Sequence, residues 1–264
     1  MKLGFLGCGN MGTAILDGMI SKEIVSETIW VANKEKKKNE VLAEKYGVQT
    51  TEKAAELQEC DVVILGIKPQ GLEELKFVPK EGAIIISFLA GTPVSRLREK
   101  FPSARIVRTM PNLGQLAGKG MTGIFLDPDS GFEEAEIELV TSIFTAGGEV
   151  LQLDIEEKID WIGAISGSGP AYFFAFAEAL IAAAINLGFS LEEALLLVRQ
   201  TLIGSSEVVE KFSETTLSEW KQKVMSPKGT TEQAILSFEK SKLDLIMKHA
   251  VGAAMQRTKE MGKE

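Results

Sequence analysis

The chain has 264 residues, 45% hydrophobic and 25% charged, an ordinary globular balance with core material for one large or two small domains. Its 37 acidic residues outnumber 29 basic ones, and the formal net charge of -8 argues against a nucleic-acid partner. A single histidine, His249, speaks against a histidine-based metal site, so no metal is expected, and two cysteines, Cys8 and Cys60, are too few for a disulfide framework and point to a reducing, cytoplasmic setting.

Residues 2–6 form a short apolar run that reads as a buried strand, without the charged, apolar and small-residue succession of a signal peptide. The run meets Gly7-x-Gly9-x-x-Gly12, and a helical pattern with Ala14, Ile15 and Met19 follows. Strand, glycine turn and helix in that order predict a dinucleotide-binding turn. Gly7 permits the tight turn, Gly9 lets the backbone approach a pyrophosphate, and Gly12 lets helix and strand pack closely. Cys8, Asn10 and Met11 lie between them, where the helix N-terminus offers free N–H groups to phosphate.

Residues 28–32 read as a second strand and 35–46 as a charged helix in which the lysines at 36–38 are a solvated start. Residues 52–58 look helical, and 61–66 form a continuous apolar run, as in a parallel strand covered on both faces. A short helix over 70–76, a strand over 83–89 and a helix with Pro93 in its first turn running to Lys100 come next. Strands over 105–110, 121–126 and 149–153, with a helix over 132–146, complete an alternating pattern. That alternation predicts an α/β fold, a doubly wound, mostly parallel sheet of Rossmann type over residues 1–153. From residue 154 to 264 only helices are expected, four or five of them. Ser190-x-x-Glu193 and Thr216-x-x-Glu219 read as capping boxes. The apolar stretch 171–187 approaches membrane-span length but carries Glu178 and Asn186, and it reads as a helix buried in a core or a subunit interface, with no membrane partner expected.

The tip of the second strand chooses the cofactor in such a fold, because a carboxylate there bonds the ribose of NAD and a cation accommodates the 2′-phosphate of NADP. Here the tip is Ala32-Asn33-Lys34, with Asn33 able to hydrogen-bond and Lys34 and Lys36 able to pair with phosphate, which favours NADP while leaving NAD possible. Lys68-Pro69-Gln70, Ala90-Gly91 and Pro111-Asn112 each follow a strand, so all three should lie at the carboxyl edge, where ligands bind. Each is also ordinary loop chemistry. In the helical part, the stretches 166–170 (Ser-Gly-Ser-Gly-Pro) and 226–231 (Ser-Pro-Lys-Gly-Thr-Thr) read either as helix starts or as backbone N–H groups that capture a small carboxylate beside a threonine hydroxyl.

Taken together, the glycine loop, Gly66-Ile67-Lys68-Pro69-Gln70, Met110-Pro111-Asn112, the run 166–172 and the run 224–231 resemble the Δ1-pyrroline-5-carboxylate reductase family over essentially the whole chain. The resemblance implies an N-terminal NADP-binding Rossmann domain over 1–153 and an all-α dimerisation and substrate domain over 154–264. It further implies an obligate homodimer able to assemble further, and reduction of the cyclic imine carboxylate to L-proline by direct hydride transfer. It implies that N–H groups around Ser226, Gly229 and Thr230 hold the substrate carboxylate and that the Thr231 hydroxyl bonds the ring nitrogen. Gly66, Ile67, Lys68, Pro69, Ala90, Gly91 and Asn112 would line the cofactor. The chain departs from the family pattern at Leu113-Gly114, at Lys228, where the family has a glycine, and at Ala54. A β-hydroxyacid dehydrogenase would need a lysine on the first long helix, and residues 169–175 offer none. A non-catalytic nucleotide-binding paralogue with a regulatory role is the alternative reading.

Overall fold

The computed structural model describes residues 1–22 and 28–262, and the chain divides into two compact units, Met1–Pro170 with Ala253–Glu264, and Ala171–Gly252. In the first unit β1 (Leu3–Leu6), β2 (Ile29–Ala32), β3 (Gln49–Thr51), β4 (Val62–Leu65), β5 (Ile84–Ser87), β6 (Arg105–Met110), β7 (Gly120–Leu126) and β8 (Gly148–Gln152) form one sheet in the order β3-β2-β1-β4-β5-β6-β7-β8. β1 to β6 run parallel, β7 lies antiparallel to β6, and β8 runs parallel with β7. The strand order reverses between β1 and β4, the kind of switch point at which open α/β sheets bind ligands.

The central strands are continuous apolar runs because both of their faces are covered. Leu3, Phe5, Val62, Ile64, Ile84 and Ile86 pack beneath α1 (Asn10–Ser21), α2 (Lys36–Tyr46) and, further along, Val140, Ile143 and Phe144. The alternate residues Leu6, Val63, Leu65 and Ile85 pack on the other face with α3 (Val94–Lys100). α4 (Glu134–Thr145) supplies the residues at 140–144, and α5 (Glu157–Ile162) places Ile159 in the second face. A short run of five residues in π geometry, Gly163–Gly167, joins α5 to the helices that follow.

Several expectations need correction. Residues 70–76 contain only a single 3₁₀ turn, Pro69–Gly71, after which Leu72 is drawn into the core. The segment 52–58 is likewise reduced to a 3₁₀ turn, Ala54–Leu57. Pro93 is the N-cap of α3 rather than a first-turn residue. β3 carries only Gln49, Thr50 and Thr51, too polar to read as a strand, and it exists because its backbone extends β2. Arg108 is a further departure, a cation 3% exposed on β6, paired with Glu156 at 2.6 Å and Asp160 at 3.0 Å. Glu156 also accepts the N–H of Val94 at 2.7 Å, so one buried guanidinium fastens α5 and the start of α3 to the sheet.

The helices α6 (Gly169–Asn186), α7 (Leu191–Lys211), α8 (Leu217–Val224), α9 (Thr230–Lys240) and α10 (Leu243–Met261) follow. Both capping boxes form, with Ser190 and Thr216 accepting from Glu193 and Glu219 N–H groups and the glutamates reaching back. The hydrogen bonds from Ser190 and Thr216 hold those two carboxyls below the usual carboxylate range. The apolar stretch is not buried in a core: the span Glu157–Asn186 is long and apolar enough to cross a membrane, yet only 6% of its most apolar window is buried. Phe173, Phe174 and Phe176 stand exposed on α6, and Leu195, Leu196 and Leu197 on α7. Large apolar side chains left exposed in this number are of the kind found at interfaces.

Candidate active site

The cradle of the first unit is set by two backbones that nearly touch. Gly7 takes φ +82, and its N–H donates to Ala32 O at 2.8 Å, while Gly66 N–H donates to Leu6 O at 2.9 Å. A Cβ built on Gly66 would stand 2.1 Å from Gly7 O, and one built on Gly7 would stand 2.9 Å from the Gly66 carbonyl and from Ile67 Cγ2. The turns after β1 and β4 are therefore sculpted for close approach at the switch point. Gly9 is the opposite case. It is the N-cap of α1, and a Cβ there would meet nothing within 4 Å. That open space lies before the N–H groups of Asn10, Met11 and Gly12, which have no intrahelical partner. At Gly12 an added Cβ would contact Gly7 O and Cys8 Sγ at 3.4 Å, so its smallness serves the loop more than helix-on-strand packing.

Asn33 at the tip of β2 locks this loop from the side. Its Oδ1 accepts the Cys8 N–H at 2.7 Å, and its Nδ2 donates to Asn39 Oδ1 at 3.0 Å. Asn39, buried on α2, returns the bond by donating to Asn33 O at 3.1 Å and Thr51 O at 2.8 Å. Nothing in the residue pattern announced Asn39, because an asparagine inside a charged helix reads as solvent-facing. Lys34 is exposed beside this knot, and Lys36 faces Glu40 across 4.0 Å in solvent. The Cys8 thiol lies 3.6 Å from Thr13 Oγ1, and burial raises its pKa against the pull of that contact and of Lys38. Burial pushes Cys60 up to about 11. Both thiols stay protonated at neutral pH, and neither is an activated nucleophile.

The other predicted loops arrive at the same edge because they follow strands parallel to β1. Lys68 is exposed and caps the Pro69–Gly71 turn. Gly91, at φ +68, is the third residue of a turn closed by Thr92 N–H to Leu89 O at 3.3 Å, a position that favours glycine. Asn112 uses its whole side chain: Oδ1 accepts from Gly114 and Met121 N–H groups, each at 3.1 Å, and Nδ2 donates to Ser166 O at 3.2 Å and Oγ at 3.1 Å. The run around Ser166 thus belongs, through Asn112, to the sheet edge. Gly114 is also demanded, since a Cβ there would lie 2.6 Å from Lys119 O.

In the second unit, residues 226–231 form a tight turn into α9. Gly229 N–H donates to Ser226 O at 2.8 Å, and Lys228 N–H donates to Glu232 Oε2 at 2.7 Å. Lys228 holds φ +61, the left-handed backbone that glycine adopts freely. Gly229 is the N-cap and makes no side-chain cap, so Thr230 and Thr231 open the helix with unpaired N–H groups. Thr231 is therefore not the capping residue, and its half-buried hydroxyl carries no hydrogen bond among the described residues. Among the described residues, no group of His, Cys, Asp and Glu is arranged to hold a metal ion.

Residues 156–261 match the family model "Pyrroline-5-carboxylate reductase dimerisation", and residues 2–91 match "NADP oxidoreductase coenzyme F420-dependent". A pyrroline-5-carboxylate reductase from Vibrio alginolyticus is 34% identical over 99% of this chain and 98% of its own length. Among solved structures, a pyrroline-5-carboxylate reductase from Coxiella burnetii superposes with a TM-score of 0.89 at 34% identity, over 100% of this chain and 99% of that one. A pyrroline carboxylate reductase from Plasmodium falciparum with NADP bound gives 0.82 at 29% identity, over 99% and 98% of the two chains.

Proposed function

The chain belongs to the pyrroline-5-carboxylate reductase family, and on that footing we propose that it reduces Δ1-pyrroline-5-carboxylate to L-proline with NADPH, the last step of proline biosynthesis. The observation that carries the reading is the presence in one chain of an open dinucleotide cradle at Gly9 and of a helix start at which Thr230 and Thr231 offer free N–H groups and Thr231 a free hydroxyl. We assign residues 1–153 to cofactor binding and 154–264 to dimerisation and substrate binding. The first compact unit extends further, to Pro170, because Arg108 and Asn112 tie residues 156–166 back to the sheet.

The cradle fits a pyrophosphate. Gly9 leaves the approach clear, the first-turn N–H groups of Asn10, Met11 and Gly12 point to it, and the dipole of α1 adds partial positive charge. Lys34 and Lys36 favour a 2′-phosphate, with no acid at the strand tip itself, while Asn33 and Cys8 shape the loop. Gly66, Ile67, Lys68, Pro69, Ala90, Gly91 and Asn112 line the remaining edge. The bound cofactor supplies the hydride. The N–H groups around Ser226, Gly229 and Thr230 hold the substrate carboxylate, and the Thr231 hydroxyl hydrogen-bonds the ring nitrogen and fixes the face of the ring. The imine, protonated on nitrogen, is already electrophilic, so no side chain need act as general acid. Hydride adds to the imine carbon, the C=N π pair goes to nitrogen, and the products are proline and oxidised cofactor. Positioning is the chief contribution of the protein.

The working form is proposed to be an obligate homodimer, able to assemble further, in the cytoplasm. The dimerisation model over 156–261 and the exposed Phe173, Phe174 and Leu196 support an interface on α6 and α7 rather than a membrane span. The test is an assay of pyrroline-5-carboxylate with NADPH and, separately, NADH, following loss of the reduced nicotinamide and formation of proline. Turnover with preference for NADPH is expected. Tight NADPH binding without turnover at any pH would instead favour the non-catalytic paralogue.

A further inference from the structure

Gly91 meets the end of α10. A Cβ on Gly91 would stand 2.9 Å from both Gly262 N and Thr258 O, and a Cβ on Gly262 would stand 2.7 Å from Gly91 O. Glycine is needed on both sides, and the contact is backbone against backbone, with no flexible side chain to yield. The helical turn making it is closed, since Gly262 N–H donates to Thr258 O at 3.1 Å. The turn it covers is held from below as well. Leu89 N–H donates to Ser87 Oγ at 3.3 Å, Thr109 Oγ1 donates to Ser87 O at 3.4 Å, and Gly91 is buried. A loop at the ligand edge of an α/β sheet is ordinarily held by its own strand and open above. Here its outer side is occupied by a helix that arrives from the far end of the sequence.

We propose that the last turn of α10, residues 258–262, is a buttress that fixes the Ala90-Gly91 loop and thereby sets the affinity for the nicotinamide cofactor. The inference rests on the reading of Ala90 and Gly91 as cofactor-lining residues. Loss of the turn lets the Gly91 peptide relax outward, and a wedge between the two glycines pushes it inward, so either change moves it from the position that meets the cofactor. Residues 258–262 are positioning residues, since they act on the cofactor through the loop.

The experiment compares the full chain with a protein ending at Arg257 and with Gly262→Ala. NADPH dissociation constants are taken from fluorescence titration, which needs no turnover, and steady-state constants and thermal unfolding are measured alongside. The expected result is an NADPH Kd raised about threefold to thirtyfold in both variants, the range by which a support outside the site modulates affinity. kcat at saturating substrates and the KM for pyrroline-5-carboxylate should change by less than about twofold, the effect of a neutral surface substitution. An NADPH Kd within about twofold of the full chain in both variants overturns the inference. So does a matched rise in KM for both substrates with a lowered Tm, which is what a merely structural role predicts. A full chain that binds NADPH but never turns over refutes the proposed activity and leaves the Kd comparison to decide the buttress.

Discussion

Gly66→Ala tests the architecture of the cradle most directly. The added methyl would lie 2.1 Å from Gly7 O and 3.0 Å from Phe88 Cζ, where ordinary contact begins near 3.4 Å. The ring edge of Phe88 can swing aside. Gly7 O cannot, because it belongs to a backbone already bent to φ +82 and tied through its own N–H to Ala32 O. An overlap of more than an ångström against main chain sits at the upper end of overpacking costs, about 3 kcal/mol. With a urea slope of about 2 kcal/mol/M, the unfolding midpoint should fall by about 1.5 M at fixed protein concentration. The displaced Gly7 turn should also weaken NADPH binding by tenfold or more, on the order of 1.4 kcal/mol. Gly9→Ala is the matched comparison. It meets no neighbour and has φ -73, so its stability should move by less than about 0.5 kcal/mol while its methyl blocks the pyrophosphate and NADPH binding falls at least as far. A Gly66→Ala protein with an unshifted midpoint, or a Gly9→Ala protein that loses stability and keeps affinity, would refute the reasoning.

Thr231→Ala should lower kcat by roughly tenfold to a thousandfold with NADPH Kd unchanged, because lost orientation acts on the transition state; steady-state kinetics with unaltered turnover would remove Thr231 from the mechanism. Arg108→Met should destabilise the protein by about 2–3 kcal/mol in urea unfolding, less than a fully buried pair because Glu156 and Asp160 keep some access to water, and α5 should gain amide exchange. Lys228→Gly should stabilise by about 1 kcal/mol, since glycine holds φ +61 without strain, and an unchanged Tm would argue that the turn is not strained. Hydrogen bonds from Lys80 to Asp61 and from Arg105 to Glu136 hold these carboxyls below their ordinary values. Their contribution is complete above the unfolded-state values and is lost as pH falls through the lower folded ones, so stability should stay level near neutrality and fall below about pH 4. Asp61→Asn should flatten part of that fall in urea midpoints measured against pH.

How far the pattern of residues could be read depended on how many faces each element buries. β4 and β5 were legible because Val62 to Leu65 and Ile84 to Ser87 are covered on both sides, so every residue is apolar or small. The capping boxes were legible because Ser190 and Glu193, or Thr216 and Glu219, act within four residues. β3 was not, since Gln49 and Thr50 gain their place only from pairing with β2. The reversal of β7 left no trace, because strand direction changes neither period nor composition. Burial of Arg108 depends on Glu156 and Asp160 far along the chain, and Asn39 depends on Asn33 and Thr51, so neither pairing has a local signature. The apolar residues of α6 read as buried in a core or a subunit interface, and the sequence did not choose between them; within the chain they stand exposed, because what a helix packs against is not written in the helix itself.

The reversal that sets β7 and β8 against the other six strands has a consequence for the route of the chain. Ile124 pairs with Thr109 on one side and with Gln152 on the other, so β8 halts level with Thr109 instead of running on past the far rim of the sheet. From that halting point only α5 and the π run are needed to bring Ser166 alongside Asn112. The polypeptide therefore departs from the sheet at the rim where the glycine turn, Lys68 and Gly91 already stand. Because β7 and β8 head toward the opposite rim, a longer β8 would have carried the chain away from this edge, and the same helices would have set out from the wrong shore.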